Sequence, residues 1–248
     1  MSNKTNYSYV GIALVILVFG IIFIPKIIDR VQNKDITREE SRSKNLSKEG
    51  SNTNKDMVFL EINGARKKGP DFSFTNQDGK TITNKDYLGK VYVAEFFFTT
   101  CPTICPRMSR NLVDIQNELK EFEDFGVASF TISPEIDTPE VLKAYAQKYN
   151  VTNPNWHFLT GDEATIYELA NVGFSIYAGK NADVDGGFEH SGNFALIDKN
   201  GFMRSRKDDF GNPKIYYKGI ISEAEGEEDG EREEISMLKE DIKKLLKE

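Results

Sequence analysis

The chain has 248 residues, of which 39% are hydrophobic and 29% charged, enough for one substantial core. The net charge is −7, and the stretch from Ser222 to Glu234, with eight acids and one arginine, accounts for it, so the rest of the chain is near neutral. Without a basic patch, the composition excludes nucleic acid as a partner, and two cysteines exclude a disulfide scaffold or a four-cysteine zinc site.

An uncharged apolar run extends from Tyr9 to Ile24 and resumes at Ile27, which is about one membrane span. The sequence predicts an uncleaved membrane anchor over residues 1–28. A cleaved signal peptide and a buried helix are the alternatives, but no small-residue cleavage site follows the run. Basic residues are more numerous after the run than before it. Because basic residues favour the cytosolic side of a membrane, this charge bias would place the long part of the chain in the cytosol. Long domains translocate largely regardless of that bias.

Residues 29–56 contain only three strong hydrophobes among Lys, Glu, Ser, Asn and Thr. Such a composition cannot offset the entropy lost on ordering, so the segment is predicted to be a flexible linker. The predicted folded domain covers residues 57–248.

Within this domain, the hydrophobic pattern alternates between strand and helix spacing. Strands are predicted at 57–62, on both sides of the turn 77–79, at 91–99, 126–132 and 157–159, and on both sides of 200–201. Helices are predicted at 106–122, 138–149, 162–170 and 232–248. This order predicts an α/β fold with a mixed central sheet flanked by helices, behind one N-terminal transmembrane helix.

Two predicted helices carry a clear apolar face. The apolar face of 106–122 consists of Met108, Leu112, Ile115 and Leu119. The last helix, 232–248, is also amphipathic and is expected to close the domain by packing on the sheet; a helix lying on a membrane surface is the alternative.

Cys101 and Cys105 lie in TTCPTICP, where a predicted buried strand ends and a helix begins. Free N–H groups and the helix dipole at a helix start stabilise anions, which lowers the pKa of a thiol there. A spacing of four residues would place both side chains on one helical face, with Cβ atoms about 5–6 Å apart. That separation suits two sulfurs on one metal and, after adjustment, a disulfide. Two buried cysteines acting as small hydrophobes are the structural alternative.

A metal held by two thiolates alone would lack a further ligand, and the chain offers two histidines. His190 follows a Gly-rich stretch and precedes a strand, where a loop residue is free to reach a site, so it is the better candidate. His157 lies in a short strand and is interpreted as an ordinary strand residue. Two thiolates and one imidazole favour Cu(I), Cu(II) or Zn and exclude Mg and Ca.

Two acidic residues lie close to this region of the sequence. Glu95 interrupts the apolar strand 91–99, and partial burial there would raise its pKa and make it a proton partner for a thiol. A strand-edge position in contact with water is its alternative. Asp137 either lines the same end of the sheet or belongs to the loop beside a helix cap.

The runs GKVYVAEFFFTTCPTICPRM, DTPEVLKAYAQKY, WHFLTG and HSGNFALIDKNG, in this order, resemble the Sco/SenC family of membrane-anchored, thioredoxin-like proteins that assemble the copper centre of cytochrome c oxidase. The resemblance covers about residues 65–248. It implies a thioredoxin-like fold, copper ligands at Cys101, Cys105 and His190, and a domain on the periplasmic or an equivalent non-cytosolic side. Glu95 is similar in placement to the buried acid of thioredoxins.

The resemblance implies a chaperone that binds one copper ion, as Cu(I) or Cu(II), and delivers it to the oxidase subunit carrying the dinuclear copper site. An upstream copper donor or a thiol reductase would be a further partner. The alternative is an enzyme, a thiol-disulfide oxidoreductase that reduces that subunit's cysteines with Cys101 and Cys105. One protein can do both. His190 separates the two functions, because disulfide exchange has no use for it. A peroxiredoxin-like activity is disfavoured, since it needs one nucleophilic cysteine beside an arginine.

The sequence departs from the family in two places. Many members have an Asp before the proline in the segment matched by Ile132, Ser133 and Pro134, so a role for that Asp cannot be carried over. The acidic stretch from Ser222 to Glu234 looks like an insertion before the last helix, and it is predicted to have no function beyond solvation, with electrostatic docking as the alternative.

Overall fold

The computed structural model describes residues 57–183, 186–208 and 210–248, together with 13, 17–19, 21 and 23–25. The chain divides into two units, Met1–Ser51 and Asn52–Glu248. The described residues of the first unit are helical. Among the described residues, no helix has both the length and the hydropathy needed to cross a membrane. Most of the predicted anchor, 1–28, and all of the predicted linker, 29–56, lie outside the described residues.

The second unit alternates strands and helices. The strands are β1 (Met57–Phe59), β2 (Glu61–Ile62), β3 (Ala65–Arg66), β4 (Ser73–Asn76), β5 (Thr81–Thr83), β6 (Val91–Phe97), β7 (Phe125–Thr131), β8 (Trp156–Thr160), β9 (Ala178–Lys180), β10 (Phe188–His190), β11 (Asn193–Ile197), β12 (Arg204–Arg206), β13 (Tyr217–Lys218), β14 (Glu227–Glu228) and β15 (Glu231–Arg232). The α-helices are α1 (Cys105–Glu118), α2 (Pro139–Lys148), α3 (Glu163–Glu168) and α4 (Ile235–Leu246). A 3-10 turn spans Asn84–Tyr87, and a π-helical turn spans Leu169–Phe174.

The central sheet has seven strands in the order β13-β11-β6-β7-β8-β4-β5. β6, β7 and β8 are parallel, and the other neighbouring strands are antiparallel. The predicted α/β fold with a mixed central sheet is therefore confirmed. Among the described residues, four two-stranded ladders lie outside this sheet: β1 with β12, β2 with β3, β9 with β10, and β14 with β15.

Every residue of β6 and β7 is buried, as expected for central strands covered on both faces. Because successive side chains of a strand point to opposite faces, β6 divides its residues between two layers. Phe97 packs against Tyr145 on the face covered by α1, α2 and α4. Phe96 packs against Phe174 on the opposite face. Glu95 shares the face of Phe97 and therefore points towards the layer that contains α1.

The predicted helices are present, with ends shifted by a few residues. The apolar face predicted for the first helix is completely buried. α2 begins after Thr138, whose hydroxyl caps it by accepting the N–H of Val141, with Pro139 as its first residue. α4 packs against β6 and β13, and its buried face includes Leu238 and Ile242, so the closing helix is confirmed.

The acidic stretch, to which the sequence assigns no function beyond solvation, is largely exposed in the fold and also pairs with basic residues of the domain. The stretch forms the hairpin β14–β15, and several of its acids make ion pairs with basic residues of the domain. These pairs are Glu223 with Lys239, Glu225 and Glu228 with Arg107, Glu231 with Lys218, and Glu234 with Lys214. Composition could not show this, because the partners lie elsewhere in the chain. Since the glutamate is exposed in most of these pairs, each pair contributes little stability.

The strand order brings three loops to one edge of the sheet. Parallel β6 and β7 end side by side, with Phe97 paired to Thr131, so the loops 98–104 and 132–138 are neighbours. β11 runs antiparallel to β6, so it begins where β6 ends. The segment that leads into β11, with His190, therefore reaches the same edge.

Candidate metal centre

Cys101 lies in the loop that joins β6 to α1, and Cys105 follows at the end of that loop. Cys101 precedes the helix, and Cys105 is its first residue. The prediction that both share one helical face is therefore wrong. The loop instead folds back over the start of α1, so that the backbone N–H of Cys105 donates a hydrogen bond to Sγ of Cys101 at 3.4 Å. Both side chains are buried free thiols.

His190 is the last residue of β10, held in the hairpin with β9 rather than in the predicted loop. Phe98 anchors this hairpin to the cysteine loop, because its ring centroid lies 5.1 Å from that of Phe188 and 6.0 Å from that of His190. Gly192 follows with a φ of +65°, and a Cβ there would lie 2.6 Å from the side chain of Ile220. Only glycine permits this turn and this close approach. These contacts hold the imidazole beside the cysteines.

Two sulfurs and one imidazole nitrogen converge at this edge of the sheet. The ligand atoms of Cys101, Cys105 and His190 all lie within 4.8 Å of one another. Sγ of Cys105 is 3.1 Å from Nε2 of His190. Because metal–nitrogen and metal–sulfur bonds are about 2.0–2.3 Å long, small side-chain shifts would let the three atoms bind one ion. Within the described part of the chain, no other group of three such donors meets this criterion.

The two thiols differ strongly in acidity. The pKa of Cys101 is lowered to about 3, chiefly because the thiol of Cys105 donates a hydrogen bond to its sulfur; His190 and nearby backbone N–H groups add to this. Burial, together with the proximity of Cys101, raises the pKa of Cys105 far above its ordinary value. In the reduced pair, Cys101 is therefore the thiolate and Cys105 holds the proton.

Glu95 is fully buried rather than partly buried or at a strand edge. The hydroxyl of Ser129, its neighbour on β7, donates to Oε1 at 2.7 Å, and Nε1–H of Trp156 donates to that hydroxyl at 3.0 Å. Oε2 has no hydrogen-bond partner among the described residues. Burial raises the pKa of Glu95 to about 8, against the opposing effect of Ser129. A charged Glu95 in turn raises the pKa of Cys105, so the two groups are electrostatically coupled.

Asp137 lies in the loop between β7 and α2 and is completely buried. Its carboxylate accepts the backbone N–H of Thr99 at 3.1 Å and the hydroxyls of Thr99 and Thr131. Both interpretations of this residue hold in part: it sits in the loop before the cap of α2, and it also contacts the start of the cysteine loop.

A cavity of about 400 Å³ borders the site. It is lined by Phe98, Cys101, Thr103, Ile104, Asp183, Phe188, Glu189 and His190. Cys105 is absent from this lining. A molecule in the cavity therefore meets Cys101 and His190 first, and the charged groups around it, Asp183 and Glu189, are acidic.

His157 lies outside this cluster. It is half-buried in β8, with Nδ1 3.3 Å from Nδ2 of Asn76 and its ring against Tyr87, as expected of an ordinary strand residue. Ser133 is buried, and its hydroxyl has no hydrogen-bond partner among the described residues.

Comparison with known proteins gives a consistent set of similarities. The SCO1/SenC family model matches residues 61–225. The SCO1 protein homolog of Bacillus subtilis (strain 168) is 37% identical over 154 residues, 61% of this chain and 78% of the homolog. A SCO1/SenC family lipoprotein from Bacillus anthracis str. Ames has a TM-score of 0.58 at 34% identity, covering 71% of this chain and 93% of that one. BsSco, a member of the Sco family of cytochrome c oxidase assembly proteins in which a disulfide switch was identified, has a TM-score of 0.57 at 30% identity, covering 73% and 94%.

These similarities confirm the thioredoxin-like α/β fold that the sequence resemblance implied. The matched stretch, 61–225, includes both cysteines and His190, whereas α4 lies beyond it.

Proposed function

This chain belongs to the SCO1/SenC family, and on that premise we propose that it binds one copper ion through Cys101, Cys105 and His190 and delivers it to the oxidase subunit that carries the dinuclear copper site. The observation that carries the proposal is the convergence of the three donor atoms within 4.8 Å. Two thiolates and one imidazole suit a soft or borderline ion. The family resemblance favours copper over zinc.

In this proposal, copper is cargo, and the arrangement of the donors supports its release. Cys101 and His190 line the cavity, whereas Cys105 lies behind them. Three protein ligands leave a coordination position open in a four-coordinate site. A ligand of the partner can occupy that position first; further partner ligands then replace the two donors that line the cavity and finally Cys105, so that the ion passes between proteins by ligand exchange.

Metal analysis of the reduced full-length protein in detergent tests copper binding. After loading with Cu(I) or Cu(II) and removal of excess metal, we expect one copper ion per chain, with zinc loaded in parallel as a comparison. Cys101→Ser and Cys105→Ser should each lose the bound copper. Equal copper retention by these variants and the native protein would refute the site.

Delivery needs a second measurement. The loaded protein is mixed with the copper-binding domain of the oxidase subunit, the two are separated, and copper is measured in each. We expect copper in the acceptor only when the acceptor's cysteines are reduced. Copper that stays on this chain, with a reduced and otherwise competent acceptor, would limit its function to storage.

A second candidate function, reduction of the subunit's cysteines, is supported by the inequality of the two thiols. Cys101, with its lowered pKa and its place in the cavity, has the properties of an attacking thiolate. It would attack a disulfide of the partner to form a mixed disulfide and release one partner thiolate. Cys105, after losing its proton, would then attack Cys101 in the mixed disulfide and displace the second partner thiolate. Two electrons then pass to the partner, and a Cys101–Cys105 disulfide remains.

Glu95 has a role in this second function as the acceptor of the proton that Cys105 must lose. Its carboxyl shares the buried layer with α1, and one of its oxygens has no hydrogen-bond partner among the described residues. A pKa of about 8 lies close to neutral pH, where a general base is most effective. Ser129 and Trp156 hold the carboxyl in one orientation.

We also propose that residues 1–28 anchor the protein in a membrane, that 29–56 form a linker, and that the folded domain, 57–248, faces the periplasm or an equivalent non-cytosolic side. The apolar run and the family resemblance support this arrangement, and the relative from Bacillus anthracis is a lipoprotein. An upstream copper donor or a thiol reductase would restore the protein after each transfer.

A further inference from the structure

Each of the three donor side chains has a different structural support. Cys105 is held by the first turn of α1, and His190 is held by the hairpin β9–β10. Cys101 belongs to neither element. Apart from the contacts of its own sulfur, its backbone N–H makes one hydrogen bond, a long one of 3.3 Å to the carbonyl of Phe98. Besides the contacts of its sulfur, a further support for the Cys101 end of the loop comes through the residues before it.

Asp137 provides that support. Its carboxylate accepts both the N–H and the hydroxyl of Thr99, which lies two residues before Cys101. It also accepts the hydroxyl of Thr131, the last residue of β7. One side chain thus joins the start of the cysteine loop to a rigid central strand.

The loop that carries Asp137 is itself closed by hydrogen bonds. The backbone N–H of Asp137 donates to the carbonyl of Ser133 at 2.9 Å, and the N–H of Ser133 donates to the hydroxyl of Thr131 at 3.0 Å. Within the described chain, Asp137 forms no ion pair, so hydrogen bonds alone compensate for burying its carboxylate. The arrangement ties a buried carboxyl group to the cysteine loop through hydrogen bonds.

We propose that Asp137 is a positioning residue that holds Cys101 at the distance from Cys105 and His190 that copper binding requires, an inference that rests on the proposed function. Donor atoms must be held to within about 0.5 Å for tight binding. Release of Thr99 would let Cys101 move while the other two donors stay in place. The site would then keep its ligands but lose its geometry.

Two variants of the full-length protein test this. Asp137→Ala removes all three hydrogen bonds, and Thr99→Val removes the hydroxyl bond alone. We expect Asp137→Ala to weaken copper binding about 10–100-fold, as is typical when a group that orients a metal ligand is lost, and Thr99→Val to weaken it less. In both variants, hydrogen exchange of the backbone in residues 98–104 should accelerate, a measurement that needs no metal.

Asp198→Ala is the matched control. Asp198 is also buried and also closes a turn by accepting backbone N–H groups, but it follows β11 at the opposite end of the sheet. Its removal should lower overall stability without changing copper affinity or the exchange of residues 98–104.

The possible results separate the two proposals. The role of Asp137 is overturned if both test variants have the same copper affinity and the same loop exchange as Asp198→Ala. It is also overturned if loop exchange becomes faster while copper affinity stays unchanged. If Asp137→Ala does not fold, Thr99→Val decides by the same two measurements. If the native protein binds no copper, the proposed function fails, and the exchange of residues 98–104 still decides whether Asp137 holds the loop.

Discussion

The Sγ atom of Cys105 lies 3.1 Å from Nε2 of His190, although 85 residues separate them in the chain. The contact exists because β11 runs antiparallel to β6, which returns the segment before β11 to the edge where β6 ends. Disulfide exchange between two cysteines does not require an imidazole at this distance. The relationship therefore bears directly on which of the two candidate functions the protein performs.

Replacement of this imidazole should separate metal binding from thiol chemistry. We expect His190→Ala to lose Cu(II) binding and oxidase assembly while the Cys101–Cys105 pair still forms and breaks its disulfide. The loss of one of three ligands should reduce copper affinity by more than the 10–100-fold or so typical of groups behind a ligand. Copper titration and the equilibrium of the cysteine pair with glutathione provide the two measurements.

His157→Ala is the matched control, since it removes the other histidine, which lies on β8 away from the cysteines. It should bind copper like the native protein. Full oxidase assembly by His190→Ala at limiting copper would contradict the chaperone proposal and leave the thiol reductase.

The two cysteines should react differently with an alkylating agent. At pH 5, iodoacetamide should label Cys101, whose pKa is lowered to about 3, and leave Cys105, whose pKa is raised. Mass spectrometry of the digested, copper-free protein measures the labelling at each position. In urea at the same pH, both thiols regain ordinary pKa values, and neither should react quickly. Equal labelling of the folded pair would show that the thiols are not differentiated.

The proposed membrane topology predicts that residues 1–8 remain cytosolic and that residues 29–248 do not. A reporter that is active only outside the cytosol, fused after Glu248, should be active, and a cytosolic reporter at the same position should not. The matched control is the same fusion without residues 1–28, which should reverse the result. Cytosolic activity of the complete fusion would contradict both the proposed topology and the proposed location.

The sequence was most informative where a single segment determines the structure. The buried strands β6 and β7 are predicted from their apolar pattern, and the buried face of α1 from the spacing of Met108, Leu112 and Ile115. Both patterns involve only neighbouring residues, and both predictions are confirmed. The location of the cysteines at a strand–helix junction is also local. Their common helical face was predicted wrongly, because Cys101 lies in a loop whose course depends on Asp137, far along the chain.

Long-range contacts account for what the sequence could not show. His190 is predicted to lie in a loop after a Gly-rich stretch, whereas it ends β10, which pairs with β9 and packs against Phe98. The composition of the acidic stretch also does not reveal that Arg107 binds two of its glutamates. In both cases the partner is about 80 residues away or more, so no local pattern indicates the contact.

Glu95 gives a prediction about stability as well as about thiol chemistry. Its pKa is about 8 in the folded protein, whereas an unperturbed glutamate has a pKa of 4.5. Between these values, the folded state binds more protons than the unfolded state, so the free energy of unfolding should fall as pH rises from about 4.5 to 8. At about 1.4 kcal/mol per pKa unit, the loss is of the order of a few kcal/mol.

Glu95→Gln stays neutral at every pH and can still accept the hydrogen bond from Ser129. The variant should therefore lose less stability than the native protein between pH 5 and 8, as measured by urea unfolding of the reduced, copper-free protein. Its thiol titration should also change, because no charge forms at residue 95 to oppose ionisation of Cys105 and no carboxylate is there to accept its proton. Glu227→Gln, at an exposed glutamate of β14, is the control and should leave both profiles unchanged. If Glu95→Gln and the native protein have parallel stability profiles and identical thiol titrations, Glu95 is only a buried strand residue and has no part in the chemistry.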